Sequence, residues 1–315
     1  MNVITNLDNG VGLQRDFEMI APKLRAMGWE VAGVPFLSPH QIQPADVNLF
    51  LEVCVPSLFQ YAREQWIVPN PEWCIRNWIP DLKARFSRVL CKTPDTYRIF
   101  RILMQGSQVA CFHTGWESRD LYDASVPREW KFLHVTGKSQ NKNTVAILRA
   151  WQTLQVPYQL TLLSEHYSEA AGMNNVTRHH RVSDEQLVQL MNSHQFHLCP
   201  SEYEGWGHYL HEALGVGAVV ITTNVSPMNE FGAPTELLVP PYHTREQHCA
   251  SMSTIMPEAL FTSITRATHW TPEQVQQAST AARDEFLRQR EYFKSQFVQA
   301  FRFGSMQETQ VSISG

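Results

Sequence analysis

Two short patterns that would fix a chemistry at once are missing from this sequence: it has no C-x-x-C pair and no D-x-D triplet. Its six cysteines, Cys54, Cys74, Cys91, Cys111, Cys199 and Cys249, stand singly, several of them in apolar, strand-like runs. A disulfide scaffold and a zinc ribbon are thereby disfavoured, and buried thiols in a reducing compartment are expected. Divalent cations are often held on substrate phosphates by one or two carboxylates, and without D-x-D the common spacing for that is absent. The adjacent pair His179–His180 in TRHHRVS has no third ligand at metal-holding spacing, so that stretch reads as an exposed loop. No apolar run approaches the roughly 20 residues of a membrane span. The opening MNVITNLDNG shows no basic segment followed by a long apolar one, so no signal peptide is expected and a cytoplasmic location is. A basic excess is lacking too. The net charge of −4 argues against coating nucleic acid or membrane by bulk electrostatics. Repeats and low-complexity segments do not occur.

What is present is an alternation of apolar runs and amphipathic stretches. The 315 residues, 43% of them hydrophobic and 11% aromatic, suffice for two ordinary domains or one large one. MNVIT, the glycine-bearing NLDNGVG, LQRDFEMIAPKLRAMG and WEVAGVPF read as strand, turn, helix and strand. DVNLFLEVCV, SRVLCKT and QVACFHT continue as strands, with a helix around SLFQYAREQW. The polar RDLYDASVPREW interrupts the pattern, and the alternation restarts at KFLHVTG. Helices follow at NKNTVAILRAWQTL and at VSDEQLVQLMNSH, where Ser183 is a candidate cap with Glu185 and Gln186 nearby. YQLTLLS, FHLCPS and AVVITT supply further strands. This is an α/β chain with mostly parallel sheets in two Rossmann-like halves, ligands being expected at the carboxyl ends of the strands. The expected divisions are residues 1–127, residues 128–285, and a terminal segment 286–315. From Pro272 to Phe303 an amphipathic helix carries Phe286, Phe293, Phe297 and Phe301 at one- or two-turn spacings.

The chemistry concentrates in SEYEGWGHYLHEALGVGAVVITT, Ser201 to Thr223. A plain strand–turn–helix needs a cap and an apolar face, not Glu204 and Glu212 around a glycine turn. Glycines at 205 and 207 let backbone N–H groups approach a ligand, and the following helix directs its positive end there. Glu212 suits a vicinal diol such as a ribose, and Glu204 suits hydroxyls or developing positive charge on a transferred group. In FLHVTGKSQNKNT, Gly137 follows a strand, and Lys138 and Lys142 precede a helix. That arrangement fits a diphosphate, although two loop lysines are also compatible with ordinary solvated charge.

EGWGHYLHE resembles the E-x7-E motif of GT-B glycosyltransferases, glycosyltransferase family 4 in particular, and ALGVGAVVIT resembles its continuation. GKSQNKN resembles that family's phosphate loop, NGVG its N-terminal glycine loop, and ELLVPP a late-strand signature. The resemblance spans most of the chain, with the motifs in the family's order. It implies two Rossmann-like domains facing a cleft and a C-terminal helix, here 286–315, returning to the first domain. It further implies a hexosyl- or pentosyltransferase using a nucleotide-sugar donor with retention of configuration, and neither a metal nor another cofactor. Carried over by residue, Gly137, Lys138 and Lys142 serve the diphosphate, and Glu212 the ribose. Glu204 meets the transferred sugar, with Gly205, Trp206, Gly207 and His208 facing it. Gly10 and Gly12 line the cleft from the first domain, and His113 in ACFHT touches the sugar. There are departures: Lys138 stands where arginine is common, so a bidentate phosphate contact becomes a point charge. Lys142 follows Gly137 sooner than usual, and Trp206 replaces a more usual phenylalanine.

The acceptor has one candidate signal. Arg76 to Arg101 carries Arg76, Lys83, Arg85, Arg88, Lys92, Arg98 and Arg101 against Asp81 and Asp95, a local excess of +5. Trp78, Phe86, Tyr97 and Phe100 are interleaved, with Trp66 and Trp73 just upstream. Cations with stacking rings suit a polyanion, either a modified nucleic-acid base or an anionic lipid head group, with Arg85, Arg88 and Trp73 as the contacts. The same stretch is compatible with a helix–strand–helix whose charges are solvated and whose rings are core. A glycan or small metabolite acceptor stays open. So do other activities on this architecture: an epimerase, a phosphorylase (for which no pyridoxal-phosphate lysine is marked), and a non-catalytic GT-B domain that binds a nucleotide.

Overall fold

The computed structural model describes residues 1–7, 12–38 and 42–302. The chain divides into two compact units. Unit 1 comprises Met1–Trp116, Gln247–Ala250 and the chain from Glu291 onward; unit 2 comprises Glu117–Glu246 and Ser251–Arg290.

Unit 1 is built on a six-stranded sheet of order β2-β1-β3-β4-β5-β6. The strands are β1 (Asn2–Thr5), β2 (Ala32–Pro35), β3 (Ala45–Leu51), β4 (Ala62–Val68), β5 (Phe86–Cys91) and β6 (Ala110–His113), all parallel. Three helices alternate with them: α1 (Gly12–Ala26), α2 (Ile79–Arg85) and α3 (Pro94–Leu103). The last five residues of β3, VNLFL, are all buried, as expected for a parallel strand covered on both faces. Phe50, Ile67, Val89 and Phe100 centre the core. The helix expected around SLFQYAREQW is only a 3-10 turn, Pro56–Tyr61, and AREQW belongs to β4. Proline favours a helical first turn, but the apolar half of AREQWIV is worth more buried between β3 and β5.

Unit 2 repeats the plan with a five-stranded sheet of order β11-β10-β7-β8-β9. Its strands are β7 (Glu129–Gly137), β8 (Leu160–Ser164), β9 (Val176–His179), β10 (His194–Cys199) and β11 (Val219–Thr222), again parallel. The helices are α4 (Thr144–Thr153), α5 (Asp184–Ser193), α6 (His208–Gly215), α7 (Pro257–Thr268) and α8 (Pro272–Arg302), and a two-stranded sheet, β12 (His243–Gln247) with β13 (Ala250–Thr254), precedes α7. Ser183 caps α5 in a full capping box with Gln186. TRHHRVS is not simply a loop: its first three residues close the edge strand β9. ELLVPP forms no strand of its own; it passes from a 3-10 turn at Thr235–Leu237 to a single bridge between Val239 and Thr223.

The phenylalanine stripe of α8 is buried throughout its length. In unit 2 Phe286 lies so close to Gly215 that a Cβ there would stand 3.1 Å from the ring. In unit 1 Phe293 packs on Trp116 with ring centroids 5.2 Å apart, and Phe301 on Trp66 at 4.9 Å. All six cysteines are free thiols; Cys54, Cys74, Cys91 and Cys199 are buried, and Cys111 and Cys249 half-buried.

Candidate functional site

In unit 2 the parallel sheet brings the ends of β7 and β10 to one edge, and the two glycine-bearing loops leave from there. The first runs from Gly137 to Lys142 and enters α4 through Asn143. Asn143 sits in the left-handed region, φ 49°, which a short amide side chain tolerates better than most. Its amide donates to the carbonyls of Pro200 (2.7 Å) and Ser253 (3.1 Å), and its oxygen accepts from the N–H of Ile255 (3.3 Å). His134, fully buried in β7, bridges the Leu198 carbonyl at 2.7 Å and the Thr144 hydroxyl at 3.0 Å. These ties lock the first loop to β10, and the Glu202 N–H to Asn141 carbonyl bond, 2.9 Å, continues the lock into the second loop.

The second loop turns at Gly207, φ 79°. A Cβ at that position would lie 3.1 Å from Cγ of Glu204 and would meet strain from the backbone as well. Gly207 is the N-cap of α6 and brings no side-chain oxygen to its first-turn N–H groups, which suits a helix end that receives an anion. Glu204 accepts from the Ser201 hydroxyl at 2.5 Å and stands 3.7 Å from Nζ of Lys142. The ammonium of Lys142 also lies over the Tyr209 ring, 3.2 Å from its centroid, and Tyr209 OH is 2.6 Å from Ser201 Oγ. With its side chain only 12% exposed, Lys142 has its pKa lowered: burial removes water from the ammonium, and Glu204 opposes that only in part. The result is a desolvated cation beside a carboxylate at the head of a helix. Lys138, by contrast, is exposed on the same loop.

Trp206 stacks on the imidazole of His211, centroids 3.6 Å apart and planes 10° from parallel. Its indole N–H donates to Ser118 Oγ (3.0 Å), which lies 2.9 Å from Nδ1 of His208. Burial holds His211 neutral, its pKa pushed down to about 3, so the stack is between two uncharged rings. Glu212 is buried and accepts from Nε of Arg119 at 3.0 Å, while Nη1 of Arg119 reaches Asp184 at 3.2 Å.

Thus Gly137, Lys138, Lys142, Glu204, Gly205, Trp206, Gly207, His208 and Glu212 all fall on the two loops and the helix at one edge of one sheet. Gly10 lies outside the described residues, and Gly12 begins α1. His113 ends β6 in unit 1, its Nδ1 2.9 Å from the Tyr292 hydroxyl and its ring 5.1 Å from that of Tyr292. Asn143, His134, Ser201, Tyr209 and Arg119 were missed. The first four lie inside or beside the quoted motifs, but nothing in a strand histidine or loop asparagine shows its partner. Arg119 begins the polar stretch RDLYDASVPREW, which carries no motif.

The basic stretch needs correction. Arg88 points inward, its guanidinium bonded to the Ala300 carbonyl and 4.1 Å from the centroid of Trp66. Lys92 is buried against Asp16, and Phe86, Phe100 and Trp66 are core. Strand β5 needs its inward residues apolar or paired, and α8 supplied the carbonyl that made an arginine acceptable there. Arg85 and Trp73 remain exposed, as do Arg76, Lys83, Arg98 and Arg101.

Residues 127–256 match the family described as "Glycosyl transferases group 1". No curated protein sequence matches the chain. Among solved structures it is similar to sucrose-phosphate synthase from Thermosynechococcus elongatus, at 15% identity and TM-score 0.67, covering 99% of each chain. It is also similar to a glycosyltransferase from Rickettsia africae, at 11% identity and TM-score 0.68, covering 96% of this chain and 97% of that one. The pneumococcal O-GlcNAc transferase GtfA, solved with UDP and GlcNAc, matches at 12% identity and TM-score 0.62 over 94% of this chain, which spans 61% of the GtfA chain. At such identities these likenesses establish the fold. Residues 127–256 are therefore similar to the group 1 glycosyl transferases, on a chain of the GT-B fold.

Proposed function

We propose that the protein is a glycosyltransferase that moves a sugar from a nucleotide-sugar donor to an acceptor hydroxyl, with retention and without a metal ion. The observation that carries this reading is the desolvated Lys142–Glu204 pair at the Gly207 end of α6, inside the span that matches the family. As the anomeric carbon–oxygen bond breaks, its electron pair moves onto the departing diphosphate. Lys142, Lys138 and the N-terminus of α6 are placed to stabilise that charge, the role a cation fills elsewhere. Retention follows from the resemblance: the acceptor oxygen bonds to the anomeric carbon on the face the diphosphate leaves, and its proton goes to the departing phosphate oxygen. Glu204, neutralised in the resting state by Lys142, stabilises positive charge developing on the sugar ring. Glu212 receives the ribose hydroxyls, its carboxylate oriented by Arg119. The trio Trp206, Ser118 and His208 fixes the loop against which the sugar rests.

A panel of nucleotide-sugars with detection of released nucleoside diphosphate tests the proposal. One donor should be consumed, and metal chelation should leave its rate unchanged. Loss of activity on chelation, restored by a divalent cation, would refute the metal-free mechanism; no consumption of any donor in the panel would refute the transferase reading.

A further inference from the structure

One side chain touches both members of the Lys142–Glu204 pair, directly or through one hydroxyl, and no motif marks it. Tyr209 is the second residue of α6 and is 7% exposed, so burial alone would make it an ordinary core ring. Its two ends are used separately. The ring lies under the ammonium of Lys142, whose Nζ is nearer to the ring centroid, 3.2 Å, than to the Glu204 carboxylate, 3.7 Å. The hydroxyl is 2.6 Å from Ser201 Oγ. Ser201 has one hydroxyl proton and donates it to Glu204 at 2.5 Å, so the proton between the two hydroxyls belongs to Tyr209. Tyr209 therefore donates to Ser201, and Ser201 to the carboxylate.

The need for such support follows from burial. An ammonium stripped of water loses stability against the neutral amine. A ring face offers negative charge density in place of water, a contact worth most when desolvated. A leucine at this position would fill similar space and supply neither the ring face nor the hydroxyl. The titratable groups facing Lys142 are Glu204 and Glu212, Cys199 at the end of β10, His134 in β7 and Tyr209 itself. Burial keeps the Cys199 thiol and the Tyr209 hydroxyl protonated and His134 neutral. The charge on the lysine thus depends on two glutamates and one ring.

We propose that Tyr209 is a positioning residue of the donor site: its ring keeps Lys142 charged at the head of α6, and its hydroxyl, through Ser201, fixes the carboxylate of Glu204. The first task serves diphosphate binding and the second serves turnover. The inference rests on the glycosyltransferase reading, and the two tasks fall on different atoms, so two substitutions separate them.

Calorimetric titration with UDP, ADP and GDP at pH 7, 8 and 9 finds the nucleoside diphosphate that the parent chain binds. It then compares Tyr209→Phe and Tyr209→Leu, each checked by a far-ultraviolet melt. Tyr209→Phe keeps the ring, so its affinity should match the parent's within about threefold at every pH. Its kcat with the donor found in the nucleotide-sugar panel should fall roughly tenfold at unchanged KM, the loss of about one hydrogen bond. Tyr209→Leu loses the ring, so its affinity should fall roughly tenfold at pH 7. That deficit should widen as pH rises, by up to about tenfold per unit, because a lysine already neutral must take up a proton to hold the anion. A deficit in Tyr209→Leu that is absent or the same at every pH would mark ordinary packing and overturn the inference. So would a Tyr209→Phe variant with the parent's kcat, or one that loses affinity as Tyr209→Leu does. If Tyr209→Leu does not melt cooperatively, Tyr209→Phe decides alone: parent affinity with reduced kcat supports the inference, and any other result overturns it. A parent chain that binds none of the three nucleotides would remove the glycosyltransferase reading and this inference together, whereas the other failures remove this inference only.

Discussion

Lys142→Ala offers the sharpest test of the donor site. The ammonium stands 3.7 Å from Glu204 and is 12% exposed, its partner 17%. Two unit charges at that distance interact by about 4.5 kcal/mol at an effective dielectric of about 20. A diphosphate brought to similar range gains a comparable gross attraction, reduced by the water it gives up. Removal of the lysine also leaves Glu204 uncompensated and facing an anion, so the two losses reinforce each other. A net cost of about 2–4 kcal/mol follows, or roughly 30- to 1000-fold in affinity. Calorimetric titration with UDP, ADP and GDP identifies which nucleoside diphosphate the unmodified protein binds and then measures the variant. A far-ultraviolet melt checks that the variant is folded. An affinity within about threefold of the parent would refute the assignment of Lys142 to the diphosphate. The double variant Lys142→Ala/Glu204→Gln separates the two contributions: if carboxylate repulsion dominates, it recovers most of the lost affinity.

Glu204→Gln alone should leave nucleoside diphosphate affinity close to the parent value while turnover falls on the order of 100-fold, the effect of deleting one preorganised charge; single-turnover assays with the identified donor check it. Arg88→Met should destabilise unit 1 by about 2–4 kcal/mol in urea unfolding, because the Ala300 carbonyl and the face of Trp66 lose a buried cation, whereas Arg85→Met should change stability by less than about 0.5 kcal/mol. His134 and His211 contribute to the pH dependence, both kept neutral by burial with pKa of about 3; burial lowers His197 and His194 as well. The unfolded chain takes up a proton at each near pH 6.5 and the folded chain does not, so the contribution of His134 and His211 is flat above that pH and falls as pH drops toward 3. Its slope approaches about 1.4 kcal/mol per pH unit for each imidazole. His211→Phe keeps a ring against Trp206 and should remove one such contribution between pH 6 and 4; an unchanged slope would refute it.

Much of this was legible because local rules and tertiary demands agreed. The apolar run in DVNLFLEVCV is a strand because it is buried on both faces, and Ser183 caps α5 because Gln186 stands three residues on. SLFQYAREQW failed since its proline-led turn and its strand share one stretch, and the sheet's gain in burial overrode the local helical signal. The ambiguity of the basic stretch has the same origin. A charged residue in a sequence carries no label for inside or outside, and Arg88 became an inward residue only when α8, more than 200 positions later, offered a backbone carbonyl.

By itself the sequence determined the alternation of strands and helices, and the spacing that sets Glu204 and Glu212 about a glycine turn ahead of a helix. These are one-dimensional facts, dictated by periodicity and by the conformations open to glycine. Only the tertiary structure decided which charges face one another. Lys142 meets Glu204 because β7 and β10 are neighbours in the sheet; Arg119 meets Glu212, and Lys92 is enclosed by Asp16, Glu52 and Glu72, for like reasons. Such pairs depend on a few ångströms across distant segments. Burial then sets their strength, and neither is written in the order of residues along the chain.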